Sequence, residues 1–461
     1  MVITYPSEIK LPVTPHDRKI AVIFTVILTL TTGFAATQAQ AERNSMETAS
    51  AASPSISATV APITPSLLAS LIAETLEHNP EIQAAHQQRE AARQRISPAE
   101  ALDDPVLEAG VINAPIASSP FNREDMTMKM IGLSQRLPFP GKRGLRKEIA
   151  SKDAEAMEQG YHETVNRIVH DLKTTYFDLG LTLEMIQVVD KNRQVLGHFL
   201  SVAEARYQIG QGSQADVLKA QTQLSKLLDR QLILTREQPV LEADLVRTLG
   251  RSSKGSIPVP APLHIAESPP PPNILMQQAL EQRPQLLALQ NLITRNEKSV
   301  DLARKAYLPD VDVRFSYGQR DNMLDGTRRD DMVSMTVAVN LPIWRSNKIE
   351  PRILESEALR DQAINLYQAQ RNEIGAKLRQ QIAIAEQSHK SVKLYQTTIL
   401  PQARLTVESA LSAYQVGRID FLTLLDSQMT VFDYETSLIT AIANHNKALA
   451  EIDFLTGKKQ H

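Results

Sequence analysis

The same landmarks occur twice along this chain, at an almost constant offset. Three prolines of the first half have partners 204 residues later, namely Pro80 and Pro284, Pro105 and Pro309, and Pro138 and Pro342. The segments Tyr207–Gly210 and Tyr414–Gly417 then match at an offset of 207. Self-similarity at a fixed spacing is typical of duplicated architectures. A single small length difference therefore aligns two copies of a unit of about 200 residues.

Each copy has the same predicted order of elements: two helices, two strands, a long helix and a returning helix. We expect the first repeat at 66–255 and the second at 273–457, with a proline-rich linker at 256–272 between them. In the first long helix, apolar residues recur at the spacings typical of coiled coils. Its roughly 60 residues would span roughly 90 Å. A rod of that length indicates a coiled coil or a helical array rather than a compact core.

The strands are predicted at about 106–114 and 126–137 in the first copy, and at about 311–319 and 332–341 in the second. Strict alternation in the last of these predicts a strand with one apolar face. About ten tilted residues climb roughly 25 Å, the height of the apolar band of an outer-membrane barrel. Because spanning barrels start at about eight strands, four strands per chain predict a barrel shared among copies. Two surface hairpins on a soluble bundle are the alternative.

The first 41 residues have the pattern of a secretory signal peptide. Arg18 and Lys19 precede an apolar run, and Ala39-Gln40-Ala41 forms a small-residue cleavage site. We expect cleavage before Glu42, with a retained single-span anchor as the alternative. Residues 42–65 are rich in Ala, Ser, Thr and Pro and predict a disordered lead-in.

The composition excludes several kinds of chemistry. The chain has 50 Lys and Arg against 52 Asp and Glu, so no basic excess favours nucleic acid as a partner. Without cysteine it has no disulfide, thiolate nucleophile or thiolate metal site. The catalytic and phosphate-binding motifs G-x-S-x-G, G-x-x-x-x-G-K-[ST] and H-E-x-x-H do not occur, and the histidines form no i,i+4 pair. We therefore expect no enzyme, no cofactor and no structural metal site.

Two local groups of residues have open interpretations. The alternating Met126, Met128 and Met130 suggest a lipid-facing or packed apolar stripe, with transit of soft metals as the less favoured alternative. A cationic group at the start of the first long helix suggests contact with lipid phosphates or, more simply, a solvated helix start. Its members are Lys142, Arg143, Arg146 and Lys147.

The duplicated halves, the strand pairs between long helices and the Tyr-x-x-Gly turns resemble the TolC family of outer-membrane efflux proteins. The resemblance covers Thr64 to Gly457. Two strings, Asp104–Leu107 and Ser134–Lys142, are similar to its heavy-metal (CusC- and CzcC-like) branch. Many relatives carry a lipidated N-terminal cysteine that this sequence lacks, so its anchoring would depend on the barrel alone.

The resemblance implies a mainly α-helical chain whose long coiled-coil helices form a periplasmic α-barrel. Its four transmembrane strands per chain would close a β-barrel in a homotrimer. The implied function is the outer-membrane channel of a tripartite efflux system in a Gram-negative-type cell, extending into the periplasm. Such a channel would passively export metal cations or small toxic compounds. The implied partners are a periplasmic membrane-fusion adaptor, an inner-membrane pump of the RND type and outer-membrane lipid. A pore-free periplasmic scaffold and a type I secretion exit duct remain alternatives.

The resemblance also implies roles for the two helical tips, which would contact the adaptor. The corresponding residues are Tyr207, Gly210, Gln211, Gly212 and Ser213 in the first tip and Tyr414, Gly417, Arg418 and Ile419 in the second. The glycines are equally explained as helix ends that need a positive φ.

A periplasmic gate with rings of carboxylates is implied just beyond the second tip. Asp426 keeps one aligned position of the family pattern, but Thr423 occupies the other, and Asp216 is its counterpart in the first copy. Asp420 and Arg418 complete the predicted gate. For any one of these aspartates, a helix N-cap or a solvated helix face is the alternative.

Overall fold

The computed structural model describes residues 67–116, 122–252, 260 and 262–458. The predicted signal peptide, the lead-in and residues 256–259 and 261 of the linker lie outside these residues. The helices are α1 (Leu67–His78), α2 (Pro80–Gln94), α3 (Ile96–Glu100), α4 (Lys142–Gln208), α5 (Gln214–Leu249), α6 (Pro272–Gln282), α7 (Pro284–Arg304), α8 (Glu350–Leu394), α9 (Leu400–Gln415) and α10 (Phe421–Thr456). The strands are β1 (Val106–Ile112), β2 (Met128–Leu137), β3 (Val311–Gln319) and β4 (Met332–Val339).

Prolines explain where the helices depart from the prediction. The second helix of the first copy, predicted without a break, ends at Gln94, and the chain resumes as α3, because Pro98 cannot donate a hydrogen bond to the carbonyl of Gln94. The long helix of the second copy, predicted without a break, contains a π-helical segment at Tyr395–Ile399. Pro401 lies two residues after this segment. Because proline has no backbone N–H, it cannot donate the regular helical hydrogen bond to the preceding turn.

The four strands form one antiparallel sheet in the order β1-β2-β3-β4. The pairing of β2 with β3, in which Leu137 lies opposite Val311, joins the strand pairs of the two halves. β1 ends at Ile112, two residues before the predicted limit, because Asn113 has a left-handed φ of 54°. Among the described residues, the outer edges of β1 and β4 have no strand partner.

The two faces of this sheet differ in chemistry. Because residues paired across strands share a face, the register places Leu107, Leu133, Phe315 and Met335 in one row. This face, the apolar face, consists mainly of large exposed hydrophobic side chains. They are Leu107, Val111, Ile131, Leu133, Leu137, Phe315, Val333, Met335, Val337 and Val339.

The opposite, polar face carries Glu108, Ser134, Arg314 and Thr336. Arg314 forms an ion pair with Glu108 at 3.1 Å across the sheet. Met128 and Met130 also lie on this face. Met128 packs directly over Gly318, where an added Cβ would lie 2.5 Å from its sulfur.

Apolar side chains pack the helices against one another in several clusters. One cluster joins α4, α5, α9 and α10 near the ends of the long helices, around Leu196, Phe199, Leu227 and Phe421. A second joins α6, α7, α8 and α10, and a third joins α1, α4 and α5. Across the part of the chain that the structure covers, none of the helices combines the length and the apolar character needed to cross a membrane.

The two returning helices end in equivalent ways. Gly250 follows α5 and Gly457 follows α10, both in the left-handed region with φ of 72° and 70°. Each glycine lies against the chain just before another helix. An added Cβ would lie 2.5 Å from the carbonyl oxygen of His78 at Gly250 and 2.6 Å from that of Gln282 at Gly457.

A half-buried histidine links α4 to α10. His170 Nε2 lies 2.7 Å from Glu451, and Nδ1 lies 3.3 Å from Asp171. Burial opposes the charged form, but the hydrogen bonds to Asp171 and Glu451 outweigh it and raise the pKa of His170 to about 9. The imidazolium is therefore the form present at neutral pH.

Replacing His170 by glutamine is expected to remove a pH-dependent part of the stability. Since the pKa rises from about 6.5 in the unfolded chain to about 9 in the folded protein, the contribution is complete below pH 6.5 and lost between pH 6.5 and 9. It amounts to about 3 kcal/mol. Unfolding in detergent between about pH 6 and pH 10 measures it, with His162→Gln on the same helix as the control. A difference between wild type and His170→Gln that does not change with pH contradicts this assignment.

Candidate functional site: the paired helical tips

The first tip connects α4 to α5. α4 ends at Gln208, and Gly210 reverses the chain with a left-handed φ of 73°. Ser213 then caps α5 by accepting a hydrogen bond from the N–H of Ala215 at 3.0 Å. Tyr207 and Ile209 remain largely exposed. This tip therefore presents apolar side chains on a short, capped turn.

The second tip connects α9 to α10 and has a stronger cap. Gly417 reverses the chain with φ 76°, and Asp420 accepts hydrogen bonds from the N–H of Thr423 at 2.9 Å and from its hydroxyl at 2.5 Å. These hydrogen bonds hold the pKa of the Asp420 carboxyl below its usual range. Two members of the predicted gate thus bond to each other as an N-cap, the alternative left open by the sequence.

One arginine holds the two tips together. The guanidinium of Arg206 donates hydrogen bonds to the carbonyl oxygens of Tyr414 and, at 2.9 Å, of Gln415. It also donates to the carbonyl of Gln211 in its own tip at 3.0 Å. These carbonyls lie at or just beyond helix C-termini, where a cation is favoured by the helix dipoles. Sequence reasoning missed Arg206, whose counterpart in the second copy is Ala413.

The two equivalent tyrosines have different surroundings. Tyr207 is 48% exposed, whereas Tyr414 is only 3% exposed and lies against the Arg206 guanidinium, 4.9 Å from its ring centre. Burial, followed by the negative charge of Asp216, raises the pKa of the Tyr414 hydroxyl. Within the described residues that hydroxyl has no hydrogen bond of ordinary length. Asp216 therefore acts on Tyr414 as a nearby charge.

We call Arg206, Asp216 and Tyr414 the tip cluster. The other predicted gate residues lie outside it. Arg418 and Asp426 have exposed side chains on the second tip and on the first turns of α10, while Ile419 is half-buried. The opposite side of α10 packs inward through Phe421, Leu424 and Leu425. The structure thus brings Asp216 to the second tip and leaves Asp426 facing solvent within the single chain.

A buried polar network lies farther along the same helices. The carboxylate of Glu435 accepts hydrogen bonds from Lys191 at 2.8 Å, Arg404 at 2.7 Å and Asn192 at 3.1 Å. Burial raises the pKa of Glu435, but these hydrogen bonds outweigh it and hold the pKa below its usual range. Gln428 donates to Asn192 at 2.7 Å. The network joins α4, α9 and α10, so the helices behind the tips are held in fixed register.

Among the described residues, no group of three or more His, Cys, Asp or Glu side chains lies close enough to hold a metal ion. In the tip cluster the guanidinium of Arg206 lies against the Tyr414 ring, and the Asp216 carboxylate acts on Tyr414 through its charge. Such an arrangement is suited to holding two structural elements together.

The chain is similar to proteins of a known family. The model of the outer membrane efflux protein family matches residues 71–251 and 275–458. The toluene efflux pump outer membrane protein TtgI of Pseudomonas putida is 21% identical over 68% of this chain. The match spans 66% of that protein, slightly less than two thirds. The cobalt-zinc-cadmium resistance protein CzcC of Cupriavidus metallidurans is 22% identical over 69% of this chain and 74% of its own.

A solved structure has the same fold over most of its length. A crystal structure of CusC aligns with a TM-score of 0.74, covering 85% of this chain and 92% of that one at 15% identity. The family match covers both halves of the described chain, including both long helices and both tips. The chain therefore belongs to the outer membrane efflux protein family, the TolC-like family that its repeats resemble.

Proposed function

We propose that this protein is the outer-membrane channel of a tripartite efflux system and exports small toxic compounds by passive conduction. The protein is located in the outer membrane, as are the members of its family. The observation that carries the proposal is the sheet at the ends of the long helices, which has one exposed apolar face and one polar face. Lipid would cover the apolar face, and the polar face would line the pore.

The free edges of this sheet support a shared barrel. Unpaired backbone groups on β1 and β4 would be prohibitively costly in hydrocarbon. We propose that three copies join β4 of one chain to β1 of the next, so that a homotrimer closes a barrel of about twelve strands. The long helices would then continue the pore as a tube of α-helices in the periplasm.

The tips are the proposed contact with a periplasmic membrane-fusion adaptor. Four apolar side chains at the tips are more than half exposed, which favours packing against another protein. They are Ile209, Leu218, Val416 and Leu422. An inner-membrane pump of the RND type would supply the energy. Metal cations and small organic compounds are the candidate substrates, because the two relatives are named for resistance to metals and for toluene efflux.

We further propose that the tip cluster is the latch of a periplasmic gate. Arg206 bonds α4 and its turn to the end of α9, so the two tips of one chain cannot separate while these hydrogen bonds persist. Opening would require their loss. The predicted ring of Asp426 carboxylates would face the pore beyond this latch.

Placing arginine at Met335 is expected to prevent stable insertion into the outer membrane. Met335 lies in the middle of β4 on the apolar face and is 71% exposed, so a cation there would enter lipid at a cost of about 2–4 kcal/mol. The matched control is Ser334→Arg, which carries the same cation to the polar face of the same strand. Membrane fractionation, mass in detergent and planar-bilayer conductance measure the result.

The proposal predicts trimers and conductance for wild type and Ser334→Arg, and neither for Met335→Arg. Equal insertion of the two variants would contradict the assignment of the faces. A monomer that conducts ions in detergent-derived bilayers would contradict the shared barrel.

A further inference from the structure

A cationic cavity lies where the sheet meets the long helices. Its volume is about 680 Å³, and it is bounded by the ends of the strands and the first turns of α4 and α8. We call it the junction pocket. Its charged lining residues are Arg136, Lys142, Arg146, Asp310, Lys348 and Arg352. Five cations therefore surround a single carboxylate.

The single carboxylate of the pocket already has hydrogen-bond partners within the protein. Asp310 accepts hydrogen bonds from Lys142 Nζ at 2.7 Å and from the N–H of Phe139 at 2.9 Å, and Arg136 approaches it at 3.5 Å. Lys142 is buried and also donates to the carbonyl of Leu308 at 2.7 Å. The expectations of lipid contact or solvation for Lys142 are therefore both wrong. Its role is to fix the start of α4 against Asp310.

Three of the remaining cations lack an anion. Arg146, Lys348 and Arg352 are exposed and form no ion pair with any residue that the structure describes. Nearby cations on α4 and α7 do find partners. Lys147 pairs with Glu100 at 2.6 Å, and on α7 Lys298 pairs with Glu148 and Arg304 with Glu357, both at 2.8 Å. The shortage of negative charge is thus local to the pocket.

The pocket also has an apolar wall. Trp344 and Leu341 line it and are 68% and 72% exposed. Arg136 lies on the polar face of the sheet, opposite Asp312 in the register. Guanidinium groups bind phosphate, sulfonate and carboxylate in bidentate geometry, and an exposed indole accommodates an apolar group beside them.

We propose that the junction pocket binds the anionic group of an amphiphilic solute as it passes along the polar face of the sheet. The group is an oxyanion of the phosphate, sulfonate or carboxylate class, held by Arg146 and Arg352 with Lys348 nearby. The inference rests on the proposed channel function and names its substrate class. Free multivalent metal cations would be repelled by the same charges.

The chain provides its own reporter for this binding. Trp344 is the single tryptophan of the sequence, so its emission reports on the pocket alone. Full-length protein in neutral detergent would be titrated with inorganic phosphate at constant ionic strength. We expect a saturable change in Trp344 emission. In the variant Arg146→Gln/Arg352→Gln the dissociation constant should rise at least tenfold, as expected for the loss of charge-assisted hydrogen bonds.

The matched control is Lys298→Gln/Arg304→Gln. It removes two cations of α7 that already form ion pairs with Glu148 and Glu357. Its dissociation constant should stay within twofold of wild type. Equal weakening in both variants would mean unspecific attraction, and no effect in either would remove the site. Conductance of the same preparations separates this inference from the channel proposal, because channels that conduct but bind no phosphate refute the site alone.

Two further experiments test whether something other than a solute occupies the junction pocket. Micelles containing phosphatidylglycerol, compared with phosphatidylcholine, test a lipid headgroup, and a Trp344 response to that lipid alone overturns the solute. Asp103 and Asp104 are exposed at the start of the free edge strand β1. Phosphate binding that appears only in Asp103→Asn/Asp104→Asn would show that carboxylates of a second copy fill the pocket, which also overturns the proposal.

Discussion

Replacing Arg206 by glutamine is expected to raise the open probability of the channel at least tenfold. The guanidinium makes three hydrogen bonds to carbonyl groups of the two tips and stacks on Tyr414. Hydrogen bonds to a charged group contribute about 1.5–3 kcal/mol each. A loss of only about 1.4 kcal/mol from the closed state changes its population tenfold. Single-channel recording in planar bilayers measures the open probability directly.

The second tip offers a matched control for this variant. Arg418 is exposed there and has no ion pair to a described residue, so Arg418→Gln removes the same charge without the latch contacts. Its open probability should resemble wild type. Asp216→Asn should have a smaller effect than Arg206→Gln, because Asp216 acts on Tyr414 through its charge. Equal behaviour of Arg206→Gln and Arg418→Gln would exclude the tip cluster as a latch.

Replacing Gly250 or Gly457 by alanine is expected to lower the free energy of unfolding by about 3 kcal/mol or more. A side chain in the left-handed region costs about 1–2 kcal/mol by itself. In addition, the new Cβ would meet the carbonyl oxygen of His78 or Gln282 at 2.5 or 2.6 Å. Both neighbours are backbone atoms just before a helix, so the helix itself must move. Unfolding in detergent measures the change.

Gly160 provides the control for these substitutions. It lies inside α4, and an added Cβ would meet nothing within 4 Å. Gly160→Ala should therefore increase the stability by about 0.5–1 kcal/mol, as alanine does in a helix interior. If Gly250→Ala behaves like Gly160→Ala, the close approach to His78 does not constrain the fold.

Local patterns accounted for the strands and the long helices. The alternation in β4 and the coiled-coil spacing in α4 are properties of neighbouring residues. β4 begins at its predicted first residue and ends two residues early, and α4 is a single long helix as predicted. The breaks at Pro98 and Pro401 were missed, although proline removes a hydrogen bond at a known position. The tandem landmarks gave the order of the elements in each half, and the resemblance carried by these landmarks gave the family.

The candidate site was harder to predict from the sequence, because its contacts join residues that are about 200 positions apart. Arg206 acquires its role only when the end of α9 lies beside the end of α4. Tyr207 and Tyr414 are identical in their local motifs, yet one is exposed and the other buried. No periodicity distinguishes them. The same holds for His170, whose partner Glu451 comes from the last helix.

The two open edges of the sheet have a genetic consequence. In the proposed homotrimer each channel would contain three copies of the chain, so the effect of a variant would depend on the copies that assemble with it. A variant that pairs normally at β1 and β4 but carries a defective tip would enter channels together with normal chains. In a cell that expresses both alleles equally, only about one trimer in eight would then be wholly normal. Tip variants such as Arg206→Gln should therefore be dominant, whereas Met335→Arg, which blocks insertion, should be recessive.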